Sequence, residues 1–125
     1  NDVNKEVIVY TEEDHLAKAS EEIKTTYEEL KNRILELDDI DVEIKKHYIA
    51  FKGRTNIVDI IVTKNKLKID INMKKGTLED LLNITEDISE IGHWGNGDYR
   101  VILNNSNDID TLMPLIKQSL KVNRK

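Results

Sequence analysis

The sequence predicts an α+β domain in which helices cover one face of an antiparallel sheet of about five strands, in the order α-β-β-β-β-α-β-α, a two-layer sandwich. Three observations lead there. Apolar residues near the N-terminus recur at steps of three and four, the period of a helix face. Between Asp41 and Met73 the period drops to two and β-branched residues dominate, as in half-buried strands. The links between those strands are a few residues long, which favours antiparallel neighbours.

The helical period runs from Glu12 to Asp38 through Leu16, Ala19, Ile23, Tyr27, Leu30, Ile34 and Leu37, with no Gly or Pro among them. It reads as one long amphipathic helix. Thr11 suits its N-cap, and Glu12, Glu13 and Asp14 place negative charge at the positive end of the helix dipole. Val42 and Ile44 begin the first strand and Tyr48 to Lys52 form the second. The loop Gly53, Arg54, Thr55, Asn56 then turns into a third strand from Ile57 to Thr63. Lys64 and Asn65 supply a tight turn. In the fourth strand Leu67, Ile69, Ile71 and Met73 alternate with Lys66, Lys68, Asp70 and Asn72, one face buried and the other wet. After Gly76, Thr77 and Asp80 have the spacing of a capping box, and Leu78, Leu81, Leu82, Ile88 and Ile91 form the stripe of one helix or two short ones ending at Gly92. Tyr99, Val101 and Leu103 mark a last strand. Ile109, Leu112, Met113, Ile116 and Leu120 mark a final helix, in which Pro114 would cost about 3 kcal/mol at a regular interior position, so a kink or a start close to Asp110 is expected.

A chain of 125 residues suits one domain, and its start at Asn1 rather than Met suggests a piece of a longer protein. The absence of cysteine excludes disulfides and thiolate chemistry and fits a reducing compartment, so a cytoplasmic location is expected. The longest apolar stretch, Ile57 to Val62, is broken by Asp59 and falls far short of the about 20 residues a membrane helix needs. No membrane association and no cofactor are expected.

Charge is unevenly distributed. Residues 1–40 hold 12 acids and 5 bases, residues 41–75 hold 4 and 9, and residues 76–125 hold 8 and 5, so a basic sheet region of +5 sits in a chain of net charge −5. Lys45, Lys46, Lys52, Arg54, Lys64, Lys66, Lys68, Lys74 and Lys75 all fall there. Such a patch can attract DNA or an acidic protein segment. A solvated face that balances the acidic first helix explains the same residues, and no aromatic alternates with the lysines on the wet strand positions to stack a base.

Three of five glycines and the single tryptophan fall within Gly92, His93, Trp94, Gly95, Asn96, Gly97 and Asp98. Such a loop can offer backbone amides to a ligand or partner, with His93 and Asp98 as polar contacts and Trp94 as an apolar wall. The plainer account makes Gly92 a helix C-cap, Asn96 and Gly97 a turn, and Trp94 a plug at the core edge. The loop lacks the Lys-Ser/Thr pair of a phosphate loop. His15, His47 and His93 have no partner at metal-ligand spacing, and none is expected to hold a metal. Two enzyme readings remain as alternatives: acid–base work by His93 with Asp98, or a metal-dependent nuclease built on the strand pair Glu43 and Lys45.

Longer matches add a resemblance. Tyr10 to Leu16, Tyr48 to Lys52, Asn56 to Asp59, Lys66 to Lys68, Ile91 to Tyr99 and Leu115 to Ser119 closely resemble a family of uncharacterised bacterial and archaeal domains labelled "predicted transport protein". Members occur alone or at the C-terminus of restriction-endonuclease-like proteins. The resemblance covers nearly the whole chain and implies an accessory domain in a nuclease or DNA-defence setting. It brings no catalytic residues. Pro114 and His47 depart from its pattern. The expected function is a non-catalytic recognition module contacting DNA, a protein partner or the rest of its own chain. A monomer or weak homodimer is expected, and a dimerisation domain using the first helix is a further alternative.

Overall fold

The computed structural model describes residues 9–125. Its core is one apolar layer between an open sheet and two longer helices. Six strands, β1 (Asp41–Ile44), β2 (Ile49–Lys52), β3 (Asn56–Val62), β4 (Leu67–Ile71), β5 (Glu86–Asp87) and β6 (Tyr99–Leu103), lie in the order β1-β2-β3-β4-β6-β5. All neighbours are antiparallel. The expected meander is present, with the last strand beside β4 and a two-residue edge strand added outside it.

Register explains which face is dry. Phe51 opposes Val58, Ile60 opposes Ile69, and Ile69 opposes Val101, so these side chains share one face and pack against the helices. The opposite face carries Glu43, Ala50, Asp59, Ile61, Lys68, Asp70 and Arg100.

The N-terminal helical stretch is two helices, not one: α1 (Glu12–Leu16) and α2 (Glu21–Leu35). Thr11 caps α1 in a capping box with Asp14, as its sequence implied. Ser20, inside the continuous period, restarts the helix, its Oγ accepting from the Ile23 N–H at 3.2 Å. Bonds to the strand connections compensate for the broken turn: the Ser20 N–H donates to the Lys64 carbonyl at 2.9 Å, and His15 Nε2 lies 2.6 Å from the Lys45 carbonyl. The α2 stripe of Ile23, Tyr27, Leu30 and Ile34 is buried within this chain.

Residues 77–92 do not form the expected helix. Thr77 Oγ1 donates to the Lys74 carbonyl at 2.6 Å, and Asp80 accepts from the Ile84 and Thr85 N–H groups and from Thr85 Oγ1. Asp80 therefore organises a loop ahead of β5 rather than a helix start, as short side-chain-to-backbone bonds compete with helix formation. Gln118 grips this loop, accepting from the Glu79 N–H and donating to its carbonyl, both at 2.8 Å. Of the supposed stripe Ile88 is buried, while Leu81 and Leu82 are 90% and 64% exposed.

The last helix, α3 (Ile109–Asn123), follows a single 3-10 turn and starts one residue before Asp110. Pro114 lies inside it, on its exposed side. Polar bonds lock its C-terminal half to the sheet. Ser119 Oγ donates to the Ile57 carbonyl at 2.6 Å, and Asn123 Nδ2 donates to the Asn72 carbonyl at 3.0 Å. Thr55 Oγ1 donates to Asn123 Oδ1, and the Arg54 N–H donates to the Asn123 carbonyl at 2.7 Å. Gly53 permits this approach, since a Cβ there would strike the Asn123 carbonyl. Replacing a buried side chain that satisfies several partners leaves them unpaired. Asn123→Ala is expected to lower unfolding free energy by about 1–3 kcal/mol, measured by urea denaturation; an unchanged midpoint would show that the lock carries no stability.

Candidate functional site

The wet face of the sheet is not wet at its centre. Asp59 on β3 and Asp70 on β4 stand directly opposite each other, and both are fully buried. What covers them is the glycine-rich loop, residues 92–97, which lies across the face before the chain enters β6. Gly95 touches both acids: a Cβ there would sit 2.6 Å from Asp70 Oδ2 and 3.2 Å from the Asp59 Cβ. Gly97 adopts φ +95°, and a Cβ would strike the Ile71 carbonyl and the Asn72 backbone. Gly92 has open space around it and no helix to cap.

Two adjacent carboxylates out of water are costly unless each is paired or hydrogen-bonded. Asp70 is held by Arg100, directly opposite on β6, whose Nε and Nη2 donate at 2.6 and 3.0 Å in a two-pronged pair. That pair raises the Arg100 pKa above its ordinary value. Asp59 has no cationic partner among the described residues. Its Oδ2 accepts from the Asn96 N–H at 2.6 Å and from Asn96 Nδ2 at 2.9 Å, and its Oδ1 accepts from Asn56 Nδ2 at 2.9 Å. Burial raises the Asp59 pKa above the ordinary carboxylate value and Asp70 adds to the rise, while the Asn96 and Asn56 hydrogen bonds oppose it. The loop is thus roof and hydrogen-bond donor at once.

His93 and Asp98, expected as a pair, point to different partners. His93 Nδ1 lies 3.7 Å from Asp70 Oδ2 and has no hydrogen-bond partner among the described residues. Asp98 instead anchors the end of the loop, its Oδ2 accepting from the Lys75 N–H at 2.7 Å. Trp94 is not a core plug: it is 64% exposed and stacks on His47 of the β1–β2 connection, ring centres 3.9 Å apart and planes 16° from parallel.

The basic residues divide. Lys45, Lys46, Lys64 and Lys66 lie in the β1–β2 and β3–β4 connections at one end of the sheet, with Lys68 on the roofed face next to it. Lys74 and Lys75 follow β4 at the other end. Lys45 and Lys52 share Glu43 at 3.2 and 3.1 Å, and Lys75 pairs with Asp87 at 3.4 Å. Lys46, Lys64, Lys66 and Lys68 have no acidic partner within 4.0 Å among the described residues. Glu43 on the outermost strand and Lys45 just beyond its end, the nuclease-like pair, form a half-exposed ion pair, and no group of three His, Asp or Glu side chains among the described residues is placed to hold a metal ion. Ile61, Lys68, Gly92, His93, Trp94 and Arg100 line a cleft of about 590 Å³ beside the loop. The sequence singles out Gly92, His93 and Trp94 as a loop and Lys68 as part of a basic surface; it does not single out Ile61 or Arg100 of the cleft, or the buried pair Asp59 and Asp70 beneath the loop. The available signal was the acid at position 59 inside an otherwise apolar run.

Fold and site together define an α+β domain with an open antiparallel sheet, whose polar face is roofed by a loop clamped onto two buried acids. Residues 12–123 match the family described as "Domain of unknown function (DUF5655)", and the chain belongs to that family. It is also 45% identical over 118 residues to an uncharacterized protein of Haemophilus influenzae, covering 94% of this chain and 39% of that protein. No solved structure matches. Among the described residues, no helix is long and apolar enough to cross a membrane.

Two expectations follow from the roof. Gly95→Ala forces a Cβ into the Asp70 carboxylate, itself pinned by Arg100, and should cost about 1–3 kcal/mol of stability; a melting temperature equal to wild type would refute the close approach. The raised Asp59 pKa also has a defined sign. Ionising Asp59 costs folding free energy, a cost absent below the unfolded-chain value of about 3.8 and growing as pH rises through the folded value. The stability of wild type relative to Asp59→Asn should therefore fall as pH rises through that window, as read from paired thermal melts; a difference that rises with pH would show a depressed pKa instead.

Proposed function

We propose that this domain is a non-catalytic recognition module of a longer protein, and that it contacts its partner through the roofed face of the sheet. One observation carries this reading: the two fully buried acids of that face already have protein partners, Asp59 in the loop and Asp70 on β6, while the exposed Trp94 ring stands beside Lys68 on the face, with Lys46, Lys64 and Lys66 in the connections at the adjoining end of the sheet. The clamp is structural and the outer surface is for contact. Acid–base work by His93 with Asp98 is disfavoured because Asp98 faces the Lys75 backbone. A dimer through the first helical stretch is disfavoured because its stripe is buried in the chain's own core.

The setting we propose is a nuclease- or restriction-type protein. The sequence resemblance to domains carried at the C-terminus of such proteins supports it. The matching segment occupies 39% of the Haemophilus relative, which supports a module working beside other parts of a chain. The partner chemistry is anionic, DNA or an acidic protein segment, since the lysines that have no acidic partner among the described residues gather at one end of the sheet. A cytoplasmic location accords with the lack of cysteine.

The test is a binding measurement on this chain against short DNA and an acidic peptide at 50 and 200 mM salt, beside a Lys64→Glu/Lys66→Glu/Lys68→Glu variant. Each phosphate contact removed lowers the salt slope by about one, so the variant should bind at least about tenfold more weakly at low salt. Divalent metal should leave the melting temperature unchanged, because only ligands of the folded state stabilise it. Metal-dependent cleavage of the DNA, or no binding to either probe, would overturn the reading.

A further inference from the structure

The roofed face combines an aromatic ring with cations on one short stretch, which sequence alternation alone did not show. Lys68 and Asp70 share the roofed face of β4, and Lys66 directly precedes that strand. Lys68 and Arg100 line the cleft together with Trp94, and Ile61 contributes apolar wall. Trp94 comes from the loop rather than from a strand. One side of its ring rests on His47, and the residue is still 64% exposed. A large apolar ring held this way serves no core. It is fixed from below, because the flanking Gly95 and Asn96 are seated on Asp70 and Asp59.

An exposed indole stacked on one side, beside lysines that have no acidic partner among the described residues, matches the requirements of an unpaired nucleotide: a π face for the base and cations for the phosphates on either side. The cleft, about 590 Å³, falls within the roughly 300–1,000 Å³ of small-ligand sites. Duplex DNA cannot supply the base, since its faces are stacked within the helix. An acidic peptide satisfies the lysines but leaves the ring without a flat partner. We propose that the roofed face is a single-stranded nucleic-acid site in which a base stacks on Trp94 to extend the His47–Trp94 pair, while the backbone runs past Lys68, Lys66 and Lys64. This rests on the recognition reading above and narrows it to one ligand class. Arg100 is committed to Asp70 through two of its nitrogens and acts as a fixed wall.

Trp94 is the single tryptophan, so intrinsic emission reports this position alone. The experiment titrates the chain with a single-stranded 8-mer, the same sequence as a duplex, and a poly-glutamate peptide, following tryptophan emission and, with labelled probes, anisotropy. Expected are quenching by the single strand, affinity at least tenfold above the duplex, and a loss of about tenfold or more in Trp94→Ala that Trp94→Phe partly restores. Stacking of one base on an aromatic is worth about that much. Trp94 is exposed, so a melting curve of Trp94→Ala close to wild type will confirm that it folds. Duplex or peptide binding equal to or tighter than the single strand, or single-strand binding that Trp94→Ala leaves intact, overturns the single-strand site while the recognition reading stands. Binding of none of the three probes overturns both.

Discussion

Asp59 and Asp70, side by side and out of water, impose the constraint around which the polar half of this domain is arranged. Two adjacent carboxylates in a low-dielectric setting repel each other and each loses hydration, so the surrounding chain must supply donors in kind. β6 supplies Arg100 in register, and the loop supplies Asn96. Remove the acids and the loop has nothing to sit on; remove the loop and the acids are open to solvent. The glycines follow from the same constraint. Gly95 is small because its neighbours are carboxylates, and Gly97 takes a positive φ because the chain must turn back past the Ile71 carbonyl into β6.

The two faces of the sheet are held by different physics. On the dry face, helices α2 and α3 bury aliphatic side chains and the Tyr27 ring, a non-directional attraction that fixes the layer arrangement but tolerates small slips. Near the ends of the helices, directional bonds remove that tolerance. Ser119 and Asn123 lock α3 to the carbonyls of Ile57 and Asn72, and Tyr27 donates to Glu12 Oε2 at 2.5 Å across the break between α1 and α2. Lys31 adds an ion pair to the same carboxylate. Burial raises the Glu12 pKa, and the Lys31 and Tyr27 hydrogen bonds outweigh it, leaving that pKa below the ordinary value. Charge at a partly covered position is therefore favourable here because two donors converge on it.

What the sequence revealed and concealed divides along the same line. Periodicity reports burial, and the strands β1 to β4 and β6, the α2 stripe and the α3 stripe were all legible from it. It says nothing about where polar side chains find partners. Ser20 lies inside an unbroken helical period, and its decision to end one helix and begin another depends on the Lys64 carbonyl, 44 positions further along the chain. Thr77 and Asp80 have capping-box spacing, yet Asp80 spends its oxygens on Ile84 and Thr85. Asp70 sits at a position of the alternation that reads as solvent-facing. It is buried because of a loop 22 or more residues away, which no local pattern encodes. The loop itself was visible as a cluster of glycines around a tryptophan, but its purpose required the sheet beneath it.

The position of Trp94 follows from these constraints and bears on what the face can do. Its neighbours Gly95 and Asn96 are fixed to the sheet, so the indole cannot retreat inward: the space below is filled by carboxylates that reject an apolar ring. His47 offers a flat surface at the rim, and the ring takes it, leaving much of itself in water. Folding alone would be served better by a small polar residue at position 94, which would remove the exposed apolar area without disturbing the clamp. The buried acids, which touch no solvent, thus act on the outer surface through the loop they hold: they set where the backbone at Trp94 lies, and His47 sets where its ring rests.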